Sequence, residues 1–174
     1  MKTLKENIVK IFARIVVYKT KKWANKPLKT QNRIFNYLIQ KGKTTSFGQD
    51  HDFKEIFNHK DFVKNVPVRD YEGLKPYFER VVQGEKNVLW PGKPLYFAKT
   101  SGTTSGVKYI PISKESMSTH VKGSRDAILH YINETGKVEF LNKKVIFLQG
   151  SPILEEKNGI QTGRLSGIIA HHTP

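Results

Sequence analysis

The 174 residues, 37% hydrophobic and 11% aromatic, are enough to bury a core, which excludes a disordered chain. The absence of cysteine excludes a disulfide framework and any thiolate metal site, and it fits a reducing, cytoplasmic setting. No run approaches the roughly 20 apolar residues that cross a bilayer, so no membrane partner is expected, while the net charge of +15 raises nucleic acid as a partner to weigh.

Leu4, Ile8, Ile11, Phe12, Ile15 and Val16 recur at helical spacing and predict a helix over about Thr3–Lys22 with that face docked. Ile15–Val17 is too short for the apolar core of a targeting segment, and Arg14 interrupts it. A second helix starts near Pro27, where proline suits the first turn, with Leu28, Phe35, Leu38 and Ile39 as its apolar side and Gly42 as its C-terminal cap. Residues 1–64 carry 15 Lys+Arg against 5 Asp+Glu, whereas residues 65–174 carry 15 against 10. The basic excess therefore sits on the helical first third. It is rich in Lys, with no denser run than Lys19, Lys21 and Lys22, and it lacks Arg-rich faces and aromatic stacking motifs. A solvated basic face is expected, and nucleic-acid binding is disfavoured.

"KTTSFGQDHDF" reads as a loop, with Asp52 and Glu55 as a capping box for a short helix through Phe57. Another short helix, Lys60–Asn65, stops ahead of Pro67. Asp70 caps a helix from Tyr71 to about Val82 that tolerates Pro76 near its first turns and ends at Gly84. Pro91, Gly92 and Pro94 then turn the chain. Leu95–Lys99 and Lys108–Ile112 read as two strands around a Ser/Thr/Gly loop. Ser113 caps a long helix from Lys114 to about Glu134, with Met117, Val121, Ile128, Tyr131 and Ile132 as its buried stripe and Gly136 as its stop. Val145–Leu148 reads as a buried strand, and the chain beyond Gly150 as loop-rich. The expected fold class is α/β, with a helical region over residues 1–90 and an α/β part over residues 91–174 that forms an incomplete fold.

Thr100, Ser101, Gly102, Thr103, Thr104, Ser105 and Gly106 are seven small residues in a row, closed by Lys108. The glycines let backbone N–H groups approach a ligand closely, the hydroxyls donate to oxyanions, and the lysine adds a point charge. Together they describe an anion cradle. The spacing excludes GxxxxGK[ST]: Val107 precedes Lys108, Tyr109 replaces the Ser/Thr, and a strand follows in place of a helix.

"KTSGTTSGVKYIPIS" resembles the phosphate-binding motif of the adenylate-forming superfamily. "VPVRDYEGLKPYFERV" (66–81), "NVLWPGKPLYFAKTSGTTSG" (87–106) and "FLQGSPILEEKNGIQTGRLSGIIAHHTP" (147–174) resemble the auxin-responsive acyl acid–amido synthetases, especially their bacterial members. The likeness implies the first part of a nucleotide-binding large domain over residues 91–174 that continues past this chain. It implies an ATP-dependent ligase with Mg2+. A carboxylic acid would be adenylated, with pyrophosphate leaving, and its acyl group passed to an amino acid amine. Ser101 to Gly106 would wrap the β- and γ-phosphates and Lys108 would offset charge on the leaving pyrophosphate. The family's later motifs, including a C-terminal domain with a mobile lysine, are not found. The expectation is an N-terminal piece, inactive alone, whose partners include the rest of the enzyme. The Val66–Val81 words also resemble phenylacetate-type coenzyme A ligases.

Other candidates are weaker. His171 and His172 are adjacent and lack further ligands, so an ordinary loop is expected there. Gly163, Ser166 and Gly167 do not match G-x-S-x-G. His120 and His130 lie about 80° apart on the helical wheel and read as packing or surface residues. Trp90 and Phe97 read as core. The Gly-rich tail from Gly150 to Pro174 is placed near an acyl or nucleotide pocket.

Overall fold

The structure, a computed structural model, describes residues 2–100, 106–144, 146 and 148–172. Helices α1 (Lys2–Ala24), α2 (Pro27–Gly42), α3 (Ser46–Asp50), α4 (His59–Asn65) and α5 (Tyr71–Val82) come first. Strands β1 (Tyr96–Lys99) and β2 (Tyr109–Ile112) lead into α6 (Lys114–Thr135), and β3 (Glu155–Lys157), β4 (Ile160–Gly163) and α7 (Leu165–Ala170) follow. The expected α/β class is present, with α1–α5 ahead of the sheet, α6 between β2 and β3, and α7 after β4.

The sheet order is β2-β1-β4-β3. β1 runs antiparallel to β2, with Lys99 opposite Tyr109, and parallel to β4, with Phe97 opposite Thr162. Side chains alternate between its faces. Tyr96, Ala98 and Ile112 pack against Met117 of α6 and Ile168 of α7, while Phe97 and Ile160 pack against Val81 of α5. The sheet is thus sandwiched between α5 on one side and α6 with α7 on the other, and Phe97 at its centre is 0% exposed. A separate cluster of Ile39, Phe53 and Ile56, with Phe35, Phe47 and Phe62 against it, binds α2, α3 and α4 together.

Local signals explain the ends of several helices. Asp70 accepts the Gly73 N–H at 2.8 Å, and Ser113 accepts the Ser116 N–H at 3.1 Å. Gly136 closes α6 at φ 68°. The Asn58 side chain caps α4, which begins one residue earlier than expected.

Other expectations are corrected. "KTTSFGQDHDF" holds α3, capped by Thr45, whose hydroxyl accepts the Gly48 N–H at 3.0 Å. Asp52 caps nothing with its side chain; it sits at φ 50° ahead of a single 3-10 turn, Phe53–Glu55. Gly42 lies inside α2, and Lys43 is the cap. A Cβ on Gly48 would stand 2.0 Å from the Gly42 carbonyl oxygen, so this pair lets α3 fold back onto the end of α2.

The face of α1 also differs. Ala13, Val16 and Val17 are buried, with Ala13 and Val16 packed on Leu129 and Ile132 of α6, while Leu4, Ile8, Ile11, Phe12 and Ile15 are exposed. The small Ala13 permits close helix–helix approach, which the larger side chains beside it would prevent. On α2, Ile39 is buried and Leu28 and Leu38 are exposed; on α6, Leu129 takes the buried place expected of Ile128 and Tyr131.

The expected strand Val145–Leu148 is partly outside the described residues, at Val145 and Phe147. Ile146 and Leu148 carry no strand and are exposed. Within the described tail, residues 151–172, two strands and a helix stand where a loop-rich segment is expected. β3 and β4 form a hairpin whose turn places Asn158 at φ 51° and Gly159 at φ 76°. Asn-Gly is the pair that adopts positive φ at both turn positions. The Asn158 side chain also donates to the Val82 carbonyl at 2.5 Å, tying the hairpin to the end of α5.

Candidate functional site

The Ser/Thr/Gly loop joins β1 to β2 as the sequence implies. Ser101, Gly102, Thr103, Thr104 and Ser105 lie outside the described residues. Thr100, Gly106 and Lys108 are described, and they form the neck of the loop. Thr100 donates its N–H to the Lys108 carbonyl at 3.1 Å, and Lys108 returns its N–H to the Thr100 hydroxyl at 3.3 Å. Antiparallel pairing continues below this point through Lys99 and Tyr109. Gly106 stands at φ 78°, and among the described residues nothing lies within 4 Å of where a Cβ would be. The left-handed turn favours glycine, and its bare edge leaves the backbone open to a ligand.

Lys99 and Lys108 flank the neck, and Lys157 reaches toward it from the hairpin turn at the other end of the sheet. Lys99 is ion-paired with Glu155 of β3. Lys157, beside the hairpin turn, places its ammonium 3.9 Å from the Tyr109 ring centroid. Lys108 places its ammonium 4.6 Å from the ring centroid of Tyr71, the first residue of α5. Among the described residues Lys108 has no ion-pair partner. The neck therefore keeps cationic charge that no neighbouring carboxylate cancels. Chemically, a backbone turn with uncovered glycine, hydroxyls and an uncancelled ammonium suits a polyanion such as a phosphate chain. The sequence reading missed Tyr71, Tyr109 and Lys157. Tyr71 is 37 positions from Lys108, and only the packing of α5 along β2 brings them together. The Asn158-Gly159 turn that delivers Lys157 was legible as a hairpin signal.

Beyond the neck, an apolar cavity of ≈ 290 Å³ lies between α5, the Trp90–Pro94 turn and the far end of β2, lined by Phe78, Val81, Trp90, Ile110 and Pro111. It sits at the opposite end of β2 from the loop. Trp90 is half-buried there. It donates its indole N–H to Glu115 at 3.2 Å and packs near the Tyr37 ring. Its own amide, then the Ser113 hydroxyl and the Trp90 indole, hold the Glu115 carboxyl below its usual range.

The histidines have ordinary partners. His171 Nε2 lies 2.6 Å from the Pro152 carbonyl, His172 Nε2 lies 3.1 Å from the Tyr96 hydroxyl, and His130 Nε2 lies 3.3 Å from the Thr20 hydroxyl. No three His, Asp or Glu residues converge into a metal-binding group among the described residues.

Comparison with known proteins gives a consistent picture. The family model described as the GH3 family N-terminal domain matches residues 17–174. Jasmonoyl–L-amino acid synthetase JAR4 of Nicotiana attenuata is 23% identical over 137 residues, which are 78% of this chain and 23% of that protein. The 4-substituted benzoates–glutamate ligase GH3.12 of Arabidopsis thaliana is 40% identical over 83 residues, 45% of this chain and 14% of that protein. The solved GH3.15 acyl acid amido synthetase superposes with a TM-score of 0.70 at 19% identity, over 81% of this chain and 26% of that one. The chain thus spans about a quarter or less of the length of these relatives, and its fold corresponds to part of theirs.

Proposed function

Since the chain belongs to the GH3 family, matching its N-terminal-domain model over residues 17–174, we propose that it carries the phosphate-binding end of an ATP-dependent acid–amino acid ligase. The observation that carries this reading is the neck of the loop. Thr100 and Lys108 close it, Gly106 leaves its backbone bare, and the Lys108 ammonium has no carboxylate partner among the described residues.

In this reading Thr100 to Gly106, with Ser101, Gly102, Thr103, Thr104 and Ser105 between them, wrap the β- and γ-phosphates of ATP. Lys108 stands where negative charge accumulates as pyrophosphate leaves. Charge placed in advance lowers the barrier because no reorganisation is needed when the leaving group forms. The described residues offer no cluster of acidic side chains for a metal. Mg2+ therefore enters the proposal only as a companion of the nucleotide's own phosphates.

The substrates proposed are a small carboxylic acid and an amino acid. Relatives are named for jasmonoyl, indole-3-acetic acid and 4-substituted benzoate substrates, which points to a class of acid rather than one compound. The remaining parts of the site come from the rest of such an enzyme, and this chain alone does not complete the reaction. A cytoplasmic setting accompanies this reading; no helix among the described residues is long and apolar enough to cross a membrane.

Calorimetric titration of the chain with ATP and with pyrophosphate tests the loop. Both are expected to bind, and Lys108→Ala is expected to weaken binding roughly tenfold or more, as charge-assisted contacts do. Failure of both to bind, or indifference to Lys108→Ala, would sink the reading. Steeply salt-dependent binding of an oligonucleotide in place of ATP would establish a basic nucleic-acid module instead. In the complete ligase, release of AMP on adding amino acids rather than coenzyme A separates amide from thioester formation.

A further inference from the structure

We propose that Tyr71 is a positioning residue for Lys108, holding its ammonium at the mouth of the loop without cancelling its charge. The proposal rests on the reading of the loop as a phosphate cradle. A lysine side chain has four rotatable carbons and wanders unless something fixes its head. The Lys108 backbone is fixed by its two hydrogen bonds to Thr100, at 3.1 and 3.3 Å. Its head is fixed by the Tyr71 ring, 4.6 Å from ammonium to centroid.

Tyr71 is itself well anchored. It is the first residue of α5, the turn that Asp70 caps through the Gly73 N–H at 2.8 Å. Its ring stacks on that of Phe78, two turns along the same helix, at 5.0 Å and 14° between planes. The ring is thus held in place by contacts other than its contact with Lys108.

The choice of partner matters. Lys99, on the neighbouring strand, is held by the Glu155 carboxylate, and that pairing cancels its charge. An aromatic ring attracts a cation through its quadrupole and carries no net charge. A lysine seated on a ring is oriented and still presents a full positive charge to an incoming phosphate. Lys157 on Tyr109 repeats the arrangement from β3, reaching in from the hairpin turn at the other end of the sheet. The attraction needs only the ring face, so phenylalanine should serve and an aliphatic side chain should not.

The experiment is carried out on the whole chain after reductive ¹³C-dimethylation of its lysines, which keeps their charge. The Lys108 methyl resonance is assigned by its loss in Lys108→Arg. In the parent chain and in Tyr71→Phe it is expected upfield of the bulk lysines, through the ring current. In Tyr71→Leu it is expected to return to the bulk position. Pyrophosphate should then bind the Tyr71→Leu chain roughly two- to fivefold more weakly than the parent, with Tyr71→Phe close to the parent. A parent resonance already at the bulk position, with pyrophosphate bound normally, overturns the positioning role and leaves the cradle standing. A ring-shifted resonance that ignores pyrophosphate overturns the cradle, and the positioning role with it. The parent spectrum alone decides the first point even if Tyr71→Leu fails to fold.

Discussion

The sheet and the first helix bury their apolar residues in opposite ways. In β1, Tyr96, Phe97 and Ala98 are all buried, because pairing on both edges and helices on both faces enclose the strand. In α1 a continuous apolar stripe is present, yet Leu4, Ile8, Ile11, Phe12 and Ile15 face outward. The helix is held instead by Ala13, Val16 and Val17. The difference teaches that a strand inside a sheet has its environment set by its neighbours' backbones. A helix face is set only by which other element happens to cover it.

Truncation inside the sheet should give the largest effect. Phe97→Ala removes a fully enclosed ring between β1, α5 and Tyr109. A loss of about 3–5 kcal/mol is expected in urea unfolding. A loss below about 1 kcal/mol would mean that the sheet is no better packed than α1, and the contrast would fail.

The Gly42–Gly48 approach comes next. Gly48→Ala would push a methyl group into the Gly42 carbonyl, 2.0 Å away, where backbone must move. An overpacking cost of about 1–3 kcal/mol is expected. Gly123→Ala, in open space on α6, should be neutral or slightly stabilising and serves as its control. Asp70→Ala should then cost about 1 kcal/mol through loss of the α5 cap, measured as a shift in the urea midpoint. That change also loosens the turn that carries Tyr71, so it tests whether the site and the fold share this support.

These cases also show how much the sequence disclosed. Signals carried within a few residues were legible: the Asp70 and Ser113 caps, the Gly136 stop, the strand–loop–strand around residues 100–108, and the motif words that lead to the family. What escaped depends on contacts between distant segments. Thr45 caps α3, but α3 exists because Gly48 can meet Gly42, and no local pattern states that. Ala13 is an unremarkable letter until α6 lies on it. Asn158-Gly159 is a readable hairpin signal, but the flanking Glu155–Lys157 lacks the apolar alternation that announces a strand. At the site, Lys108 was named from its place after the loop, whereas Tyr71 became visible only when α5 crossed β2.

A smaller, pH-dependent effect belongs to the sheet half. The Glu115 carboxyl is held below its ordinary range first by its own backbone N–H, then by Ser113 and Trp90. A carboxyl depressed on folding stabilises the fold above its unfolded value. That contribution fades as pH falls below about 4.3, through the folded value. Melting temperature should thus drop less steeply below that pH in Glu115→Gln than in the parent chain. An identical acid limb in both would remove Glu115 from the account.

The smallest expected effect is at Ile11 of α1, and its contrast with Ala13 bears most directly on the comparison. Ile11 is 56% exposed and Ala13 is 0% exposed, two residues apart on one helix. Ile11→Ala should change stability by no more than about 0.5 kcal/mol, as surface truncations do, and the better helix propensity of alanine offsets part of even that. Ala13→Leu should cost about 1–3 kcal/mol, because the added carbons must fit between α1 and α6. A loss of 2 kcal/mol or more for Ile11→Ala would show that the stripe is covered in solution. Its dependence on protein concentration would then tell whether a second copy covers it, since association stabilises by mass action and a contact within one chain does not. A near-neutral result at every concentration leaves the stripe bare. The burial of α1 would then rest on Ala13, Val16 and Val17, the small and β-branched residues that let two helices approach.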